Sequence, residues 1–211
     1  MLRTGNLKWY CLAALLAATL VLSAGTAAAQ SYPDTFAVTY YSNAHETGAP
    51  DGHLRLDNPG VDNGQNLCAD IYVLDAQEEL LECCGCQLTP DDLRTFSINN
   101  DLTANTANGE VPVIGVIKVI SAAPNPAPKF GQCDPTGGAS FTGFPNNIVP
   151  TPDIRGWATH IYFGGSGFLA SDQAIQPATL STWELDYLQK ACFGIRQLGS
   201  GKGVCKCGTG E

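Results

Sequence analysis

Residues 66–99 read NLCADIYVLDAQEELLECCGCQLTPDDLRTFSIN, and this stretch decides how the chain folds. It contains four of the nine cysteines and the densest acidic run of the sequence. Residues 67–74 and 78–84 are rich in apolar and β-branched side chains, and a short polar loop at 75–77 separates them. That pattern predicts two antiparallel strands joined as a β-hairpin.

The three-residue loop predicts a register for this hairpin. In that register Asp70 faces Glu82, and Cys68 faces Cys84 at a distance that permits a cross-strand disulfide. Cys83 and Cys84 are adjacent in an extended strand and therefore point to opposite faces. We expect these two cysteines to have different partners.

The first 29 residues have the composition of a cleaved secretory signal peptide. Arg3 and Lys8 supply a positive start, residues 10–23 form an apolar segment, and Ala27, Ala28 and Ala29 supply the small residues before a cleavage site. The apolar segment is shorter than the roughly 20 residues of a membrane-spanning helix. The sequence thus predicts a secreted protein, periplasmic, at the cell surface or extracellular, without membrane insertion after cleavage.

Cleavage changes the charge of the chain. It removes two of the 11 Lys and Arg residues and none of the 20 Asp and Glu residues, so the formal charge becomes 9 − 20 = −11. A chain this acidic is not expected to bind nucleic acid or an anionic membrane, because both require clustered basic residues. The partner is unknown, and a surface or extracellular partner fits export.

Cleavage also removes Cys11 and leaves an even number of cysteines. In an exported chain we expect them to form four disulfides, with 105 possible pairings that the sequence does not resolve. The alternative is a zinc site at Cys84-x-Cys86 and Cys205-x-Cys207, which export to an oxidising space disfavours. The eight cysteines are Cys68, Cys83, Cys84, Cys86, Cys133, Cys192, Cys205 and Cys207.

Outside the hairpin, the sequence predicts further short strands, a proline-rich excursion at 122–152 pinned by Cys133, and one helix at about 182–198. Ser181 and Glu184 have the spacing of a capping box at its start. One helical stripe consists of Leu185, Leu188, Cys192 and Ile195. The other predicted strands cover 36–41, 53–57, 93–98, 111–121 and 155–164.

Residues 30–211 are therefore expected to form one mainly β domain, an antiparallel β-sandwich of the Ig-like or jelly-roll-like kind. The single α-helix at its C-terminal end and the disulfides would staple the sandwich together. A parallel sheet would need helices between the strands, and the sequence predicts none before residue 182.

Candidate catalytic and metal-binding residues are few. The sequence contains no G-x-S-x-G, Walker, H-E-x-x-H or dinucleotide-binding motif. Asp57, Asp62 and Asn63 lie in an oxygen-rich loop that could bind Ca²⁺, and no other cofactor is expected. Asp70 and Glu82, if paired, could serve as the acid and base of a glycan hydrolase.

Three segments resemble a family of uncharacterised secreted bacterial proteins. They are L-C-A-x-I-Y-V at 67–73, E-C-C-x-C at 82–86, and L-G-S-G at 198–201 with Cys205. The resemblance implies export and a compact disulfide-bonded domain, and it transfers no activity or ligand. We therefore expect an exported, non-catalytic structural, adhesive or ligand-binding module. The alternatives are a secreted hydrolase and a calcium-stabilised extracellular module.

Overall fold

The computed structural model describes residues 31–32, 35–60, 64–125, 132–140 and 148–210. The predicted signal peptide lies outside these residues. Within them, no helix is long and apolar enough to cross a membrane.

Strands are the commonest regular structure of the described chain, which also has one α-helix, α1 (Thr182–Leu198), and one π-helical turn (Ile98–Leu102). The predictions for residues 36–41, 53–57, 155–164 and the helix match the observed bounds. The strands are β1 (Ser31–Tyr32), β2 (Phe36–Tyr41), β3 (His53–Asp57), β4 (Leu67–Asp75), β5 (Leu80–Leu88), β6 (Leu93–Ser97), β7 (Gly115–Ala123), β8 (Val149–Pro150), β9 (Arg155–Gly164), β10 (Gly167–Ala174), β11 (Gln176–Pro177), β12 (Leu180–Ser181) and β13 (Thr209–Gly210).

The strands form two antiparallel sheets and one small strand pair, β1 with β12. We call the sheet β11-β2-β7-β4-β5, with β8 beside β7, the central sheet. The second sheet, β10-β9-β3-β6-β13, is called the outer sheet. The predicted fold class, a mainly β protein of two antiparallel sheets with a C-terminal helix, is confirmed.

The main core lies between the two sheets. Alternation along β4 directs Ala69, Ile71 and Val73 to this side, where they share a buried cluster with Leu54 and Phe96 of the outer sheet. The other face of β4 also carries apolar side chains, so β4 is buried on both sides. A central strand with two covered faces explains the nearly continuous apolar run in its sequence.

Helix α1 covers the second face of the central sheet. Leu188 and Cys192 pack in a buried cluster with Tyr72 and Leu74 of β4. The Ser181 hydroxyl accepts a hydrogen bond from the Glu184 N–H at 3.1 Å, as the predicted N-cap requires. The Glu184 carboxylate accepts a hydrogen bond from Lys118 Nζ at 2.6 Å, which ties the start of α1 to β7.

The predicted hairpin exists, but its predicted register is wrong. Ile71 pairs with Cys84, and Asp70 pairs with Gly85 rather than with Glu82. Asp75 Oδ1 accepts hydrogen bonds from the backbone N–H groups of residues 77 and 79, which builds a turn longer than three residues. A further register shift at Val73/Leu74 displaces the pairing again. The predicted Cys68–Cys84 disulfide is therefore wrong.

All eight predicted cysteines form disulfides. Cys83 and Cys84 have different partners, as predicted, because they project from opposite faces of β5. Cys133 bonds to Cys68 and so fixes the described part of the proline-rich excursion to the central sheet. The four bridges are Cys68–Cys133, Cys83–Cys192, Cys84–Cys205 and Cys86–Cys207.

The packing around Gly85 explains why this position of the C-C-G-C motif carries no side chain. A Cβ at Gly85 would lie 2.2 Å from the Cys133 carbonyl oxygen and 2.8 Å from Asp70 Oδ1. Neither distance is compatible with an atom there, so only glycine lets the segment around Cys133 pack on β5.

The C-terminal segment closes one edge of the sandwich. Cys83 N–H donates to the Gly203 carbonyl at 3.0 Å, and β13 pairs with β6 at the edge of the outer sheet. Two disulfides, Cys84–Cys205 and Cys86–Cys207, hold this segment beside β5. An edge strand covered in this way is protected from pairing with other chains.

The opposite edge has a different construction. There β10 ends the outer sheet and β11 ends the central sheet, so the chain crosses from one sheet to the other near Ile175. Ile175 N–H donates to the Gly156 carbonyl at 3.0 Å, which anchors the crossover to β9. A cleft opens at this edge.

Candidate functional site

A cleft of about 170 Å³ lies at the crossover edge of the sandwich. Its walls come from both sheets: residues 35–37 and two residues of β7 on the central side, and residues 154–157 on the outer side. Ala174, Ile175 and Pro177 of the crossover complete the lining. Clefts between packed layers, lined mostly by apolar side chains, are the usual position of small-molecule sites.

The few polar side chains of the cleft distinguish it from a simple packing gap. Ser121 follows Ile117 and Val119 on the inward face of β7, and its hydroxyl is buried without a hydrogen-bond partner among the described residues. Arg155 lines the cleft and pairs with Asp57 of β3, whose pKa burial raises and the Arg155 charge lowers, but it forms no close ion pair among the described residues. The cleft therefore combines an apolar wall, an unpaired hydroxyl and a cation.

Asp70 is the most perturbed carboxyl of the described chain. It projects from β4 toward the α1 side of the central sheet and is only 1% exposed. Burial, reinforced by the neighbouring Asp134 carboxyl, raises the pKa of Asp70 to about 8. Asp70 Oδ1 and Asp134 Oδ2 are buried without hydrogen-bond partners among the described residues. Asp70 is thus a protonated acid at neutral pH.

Glu82 is buried on the other side of the same sheet. It pairs with Val73, so it faces the outer sheet, and it is 0% exposed. Burial raises its pKa to about 7, although the Asn105 N–H at 2.6 Å and the Lys206 charge lower it. Opposite faces of one sheet separate Glu82 from Asp70. The sequence-based hypothesis that these two acids form a catalytic pair is therefore wrong.

The predicted calcium loop is only partly described. Asp62 and Asn63 lie outside the described residues. Asp57 ends β3, where burial and the charge of Asp91 raise its pKa. No group of three or more His, Cys, Asp or Glu side chains in the described ranges has the arrangement of a metal site. The calcium hypothesis stays a prediction for this loop.

The histidines occupy separate structural positions. His45 Nε2 lies 2.8 Å from Thr103 Oγ1, and His53 belongs to β3. His160 is buried and stacked on Tyr40, with ring centroids 3.9 Å apart. Burial lowers the pKa of His160. Ala158 and His160 lie on the buried side of β9, whereas Trp157 is exposed.

The sequence did not identify the cleft. Its residues come from four separate segments, and the crossover that joins the sheets has no sequence motif. One feature of the sequence pointed to the cleft. Ser121 places a hydroxyl on the inward face of β7, after the apolar residues of that face. A polar residue at an inward position of a strand indicates a partner or a site.

Comparison with protein-family models, curated proteins and solved structures found no match to this chain. The resemblance to secreted bacterial proteins therefore stays a prediction.

Proposed function

We propose that this protein is an exported, non-catalytic binding module that holds a small, mainly apolar molecule in the crossover-edge cleft. The cleft itself carries the proposal: an apolar opening between two sheets, with an unpaired buried hydroxyl in its wall. A buried hydroxyl without a partner costs folding free energy, about 1–3 kcal/mol. A ligand that hydrogen-bonds Ser121 would recover that loss.

The size of the cleft limits the ligand. Cavities of roughly 150 Å³ lined by apolar side chains accommodate a single benzene-sized ring. A cleft of about 170 Å³ therefore suits one ring or a short branched chain, with the rest of a larger ligand outside. Arg155 at the cleft favours a ligand with an anionic group, since a guanidinium binds carboxylates and similar anions in a bidentate manner.

Export is part of the proposal. Four disulfides indicate that the protein matures in an oxidising compartment. The composition of residues 1–29 supports secretion as the route to that compartment. The acidic net charge of the chain supports solubility outside the cell and disfavours binding to nucleic acid.

The test is a binding titration with anilinonaphthalene sulfonate, a fluorescent probe with an apolar ring system and one anionic group. We expect saturable binding by the native protein. Ala37→Phe would fill the cleft and reduce the affinity by about tenfold, because one displaced ring forfeits at least 1.4 kcal/mol. Arg155→Gln would weaken binding of this anionic probe and leave the neutral probe N-phenylnaphthylamine unaffected.

The matched control is Ala170→Phe, which adds the same atoms to β10 at an exposed position outside the cleft. Its affinity for both probes should equal that of the native protein. Circular dichroism should show that Ala37→Phe and Ala170→Phe are both folded. If folded Ala37→Phe then binds the probe with the same affinity as the native protein, the cleft is not the binding site.

A further inference from the structure

The β9–β10 hairpin extends beyond the outer sheet as a two-stranded ribbon. Strand β3 pairs with β9 only as far as Ala158. From Thr159 to the end of β9, the sheet partner among the described residues is β10 alone. The two strands meet in a tight turn at Gly165 and Ser166, where Gly165 has φ +59°. The tip of this ribbon, residues 162–169, is called the hairpin tip.

The base of the ribbon is fixed to the body of the protein. His160 stacks on Tyr40, and Ile161 is buried. The Ile161 carbonyl accepts hydrogen bonds from Ser42 Oγ at 2.5 Å and Asn43 Nδ2 at 2.7 Å. The hairpin tip is therefore presented from a well-packed base.

The hairpin tip exposes apolar side chains on both faces. Tyr162 and Leu169 pair on one face and are 48% and 49% exposed. Phe163 and Phe168 pair on the other face in an edge-to-face contact of 5.4 Å, and Phe163 is 66% exposed. A flat protein partner would cover one of these faces and leave the other in water.

Beyond Asp172 at its base, the ribbon carries no charged side chain. No Asp, Glu, Lys or Arg occurs between Arg155 and Asp172. His160, the one ionisable group in that interval that could be cationic, is buried and its pKa is lowered by that burial. The acidic β4–β5 turn, with Asp75, Glu78 and Glu79, lies at the same end of the sandwich as the ribbon. Asp75 and Tyr41 both pair with Gly115, and the residues that follow Tyr41 bind the base of the ribbon at Ile161.

We propose that the hairpin tip inserts into the interfacial region of a zwitterionic lipid bilayer. An interface surrounds an inserted tip and so covers both apolar faces, and aromatic rings favour this region. The acidic turn at the same end repels anionic lipid, which selects a neutral surface. In this mode a strand ribbon contacts the interface of the bilayer without crossing it. It differs from a membrane-spanning segment, which the sequence does not predict for the chain after cleavage.

Binding to vesicles of phosphatidylcholine tests this assignment. Every variant is the full chain, so that any contribution of residues 1–29 is the same in all of them. We expect the partition coefficient of Phe163→Ser/Leu169→Ser to be at least about tenfold below that of the native chain. Amide hydrogen exchange should show protection of residues 162–169 on vesicle addition. Replacing part of the phosphatidylcholine by phosphatidylserine should weaken binding, and added salt should restore it.

The matched control is Trp183→Ser/Leu198→Ser, which removes two similarly exposed apolar side chains from α1. Its partition coefficient should equal that of the native chain. Unchanged exchange of residues 162–169 on vesicle addition would overturn the proposal. A second result would also overturn it: Phe163→Ser/Leu169→Ser loses a concentration-dependent self-association of the native chain but still binds vesicles. That result would identify a second copy of the chain as the partner.

Discussion

Asp70 shows how a single residue can depart from its sequence-based role. The sequence offered it as one acid of a catalytic pair, whereas the structure buries it on the α1-facing side of the central sheet, beside Asp134. The nearby Asp134 carboxyl makes ionisation of Asp70 still less favourable. The consequence is a dependence of stability on pH.

We predict that Asp70→Asn flattens the pH dependence of the unfolding free energy. The pKa of Asp70 is about 8 in the folded state and about 3.9 in the unfolded state. Between these values the folded state retains a proton that the unfolded state has released, so stability falls as the pH rises from about 4 to about 8. The asparagine has no such proton, and its stability relative to the native protein should rise across this window.

Urea unfolding at a series of pH values measures this difference. Glu79→Gln makes the equivalent change at an exposed carboxyl and should give a curve parallel to that of the native protein. Parallel curves for Asp70→Asn and the native protein would contradict the assigned pKa.

We predict that Gly85→Ala lowers the unfolding free energy by about 1–3 kcal/mol, because its Cβ would overlap the Cys133 carbonyl. Gly194→Ala is the matched control, since a Cβ there meets nothing within 4 Å. Alanine should stabilise that position in α1 by about 0.5–1 kcal/mol. Thermal and urea unfolding measure both effects, and equal effects of the two substitutions would disprove the packing explanation.

At the scale of elements, the sequence predicted existence and type better than pairing. Period-two apolar patterns and the Ser181 cap depend on neighbouring residues only, and β2, β3, β9 and α1 have the predicted bounds. Strand β7 begins four residues later than predicted, since residues 111–114 form a loop whose apolar side chains are exposed.

Register and facing depend on longer-range structure, and there the sequence was insufficient. The β4–β5 turn is set by side-chain hydrogen bonds of Asp75, and β9 carries apolar side chains on both faces. Either face of β9 could therefore have been placed inward. The packing of Ala158 beside Leu54, which no local pattern reveals, decides between them.

The Cys83–Cys192 disulfide is predicted to hold α1 on the central sheet. Cys83→Ala/Cys192→Ala should cost about 2–5 kcal/mol of unfolding free energy, because the bridge closes a long loop of 109 residues. Amide hydrogen exchange should increase in α1 more than in β13. The matched control, Cys86→Ala/Cys207→Ala, should show the reverse order, and the same order in both variants would contradict the assigned roles.

At the scale of the whole molecule, the two edges of the sandwich have different roles. The C-terminal segment and two disulfides close one edge, and the opposite edge opens as the cleft. The sequence predicted the sandwich, the helix and complete pairing of the cysteines. It could not predict the cleft, because its walls come together only when both sheets are assembled.

Strands β4 and β5 are the strands to which the four disulfides attach the rest of the chain, and the pairing of the cysteines defines this arrangement. Peptide mapping of the unreduced protein by mass spectrometry tests it most directly. We expect no free thiol among the eight cysteines and the linkages Cys68–Cys133, Cys83–Cys192, Cys84–Cys205 and Cys86–Cys207. A Cys68–Cys84 linkage, or eight reduced cysteines with bound zinc, would contradict it.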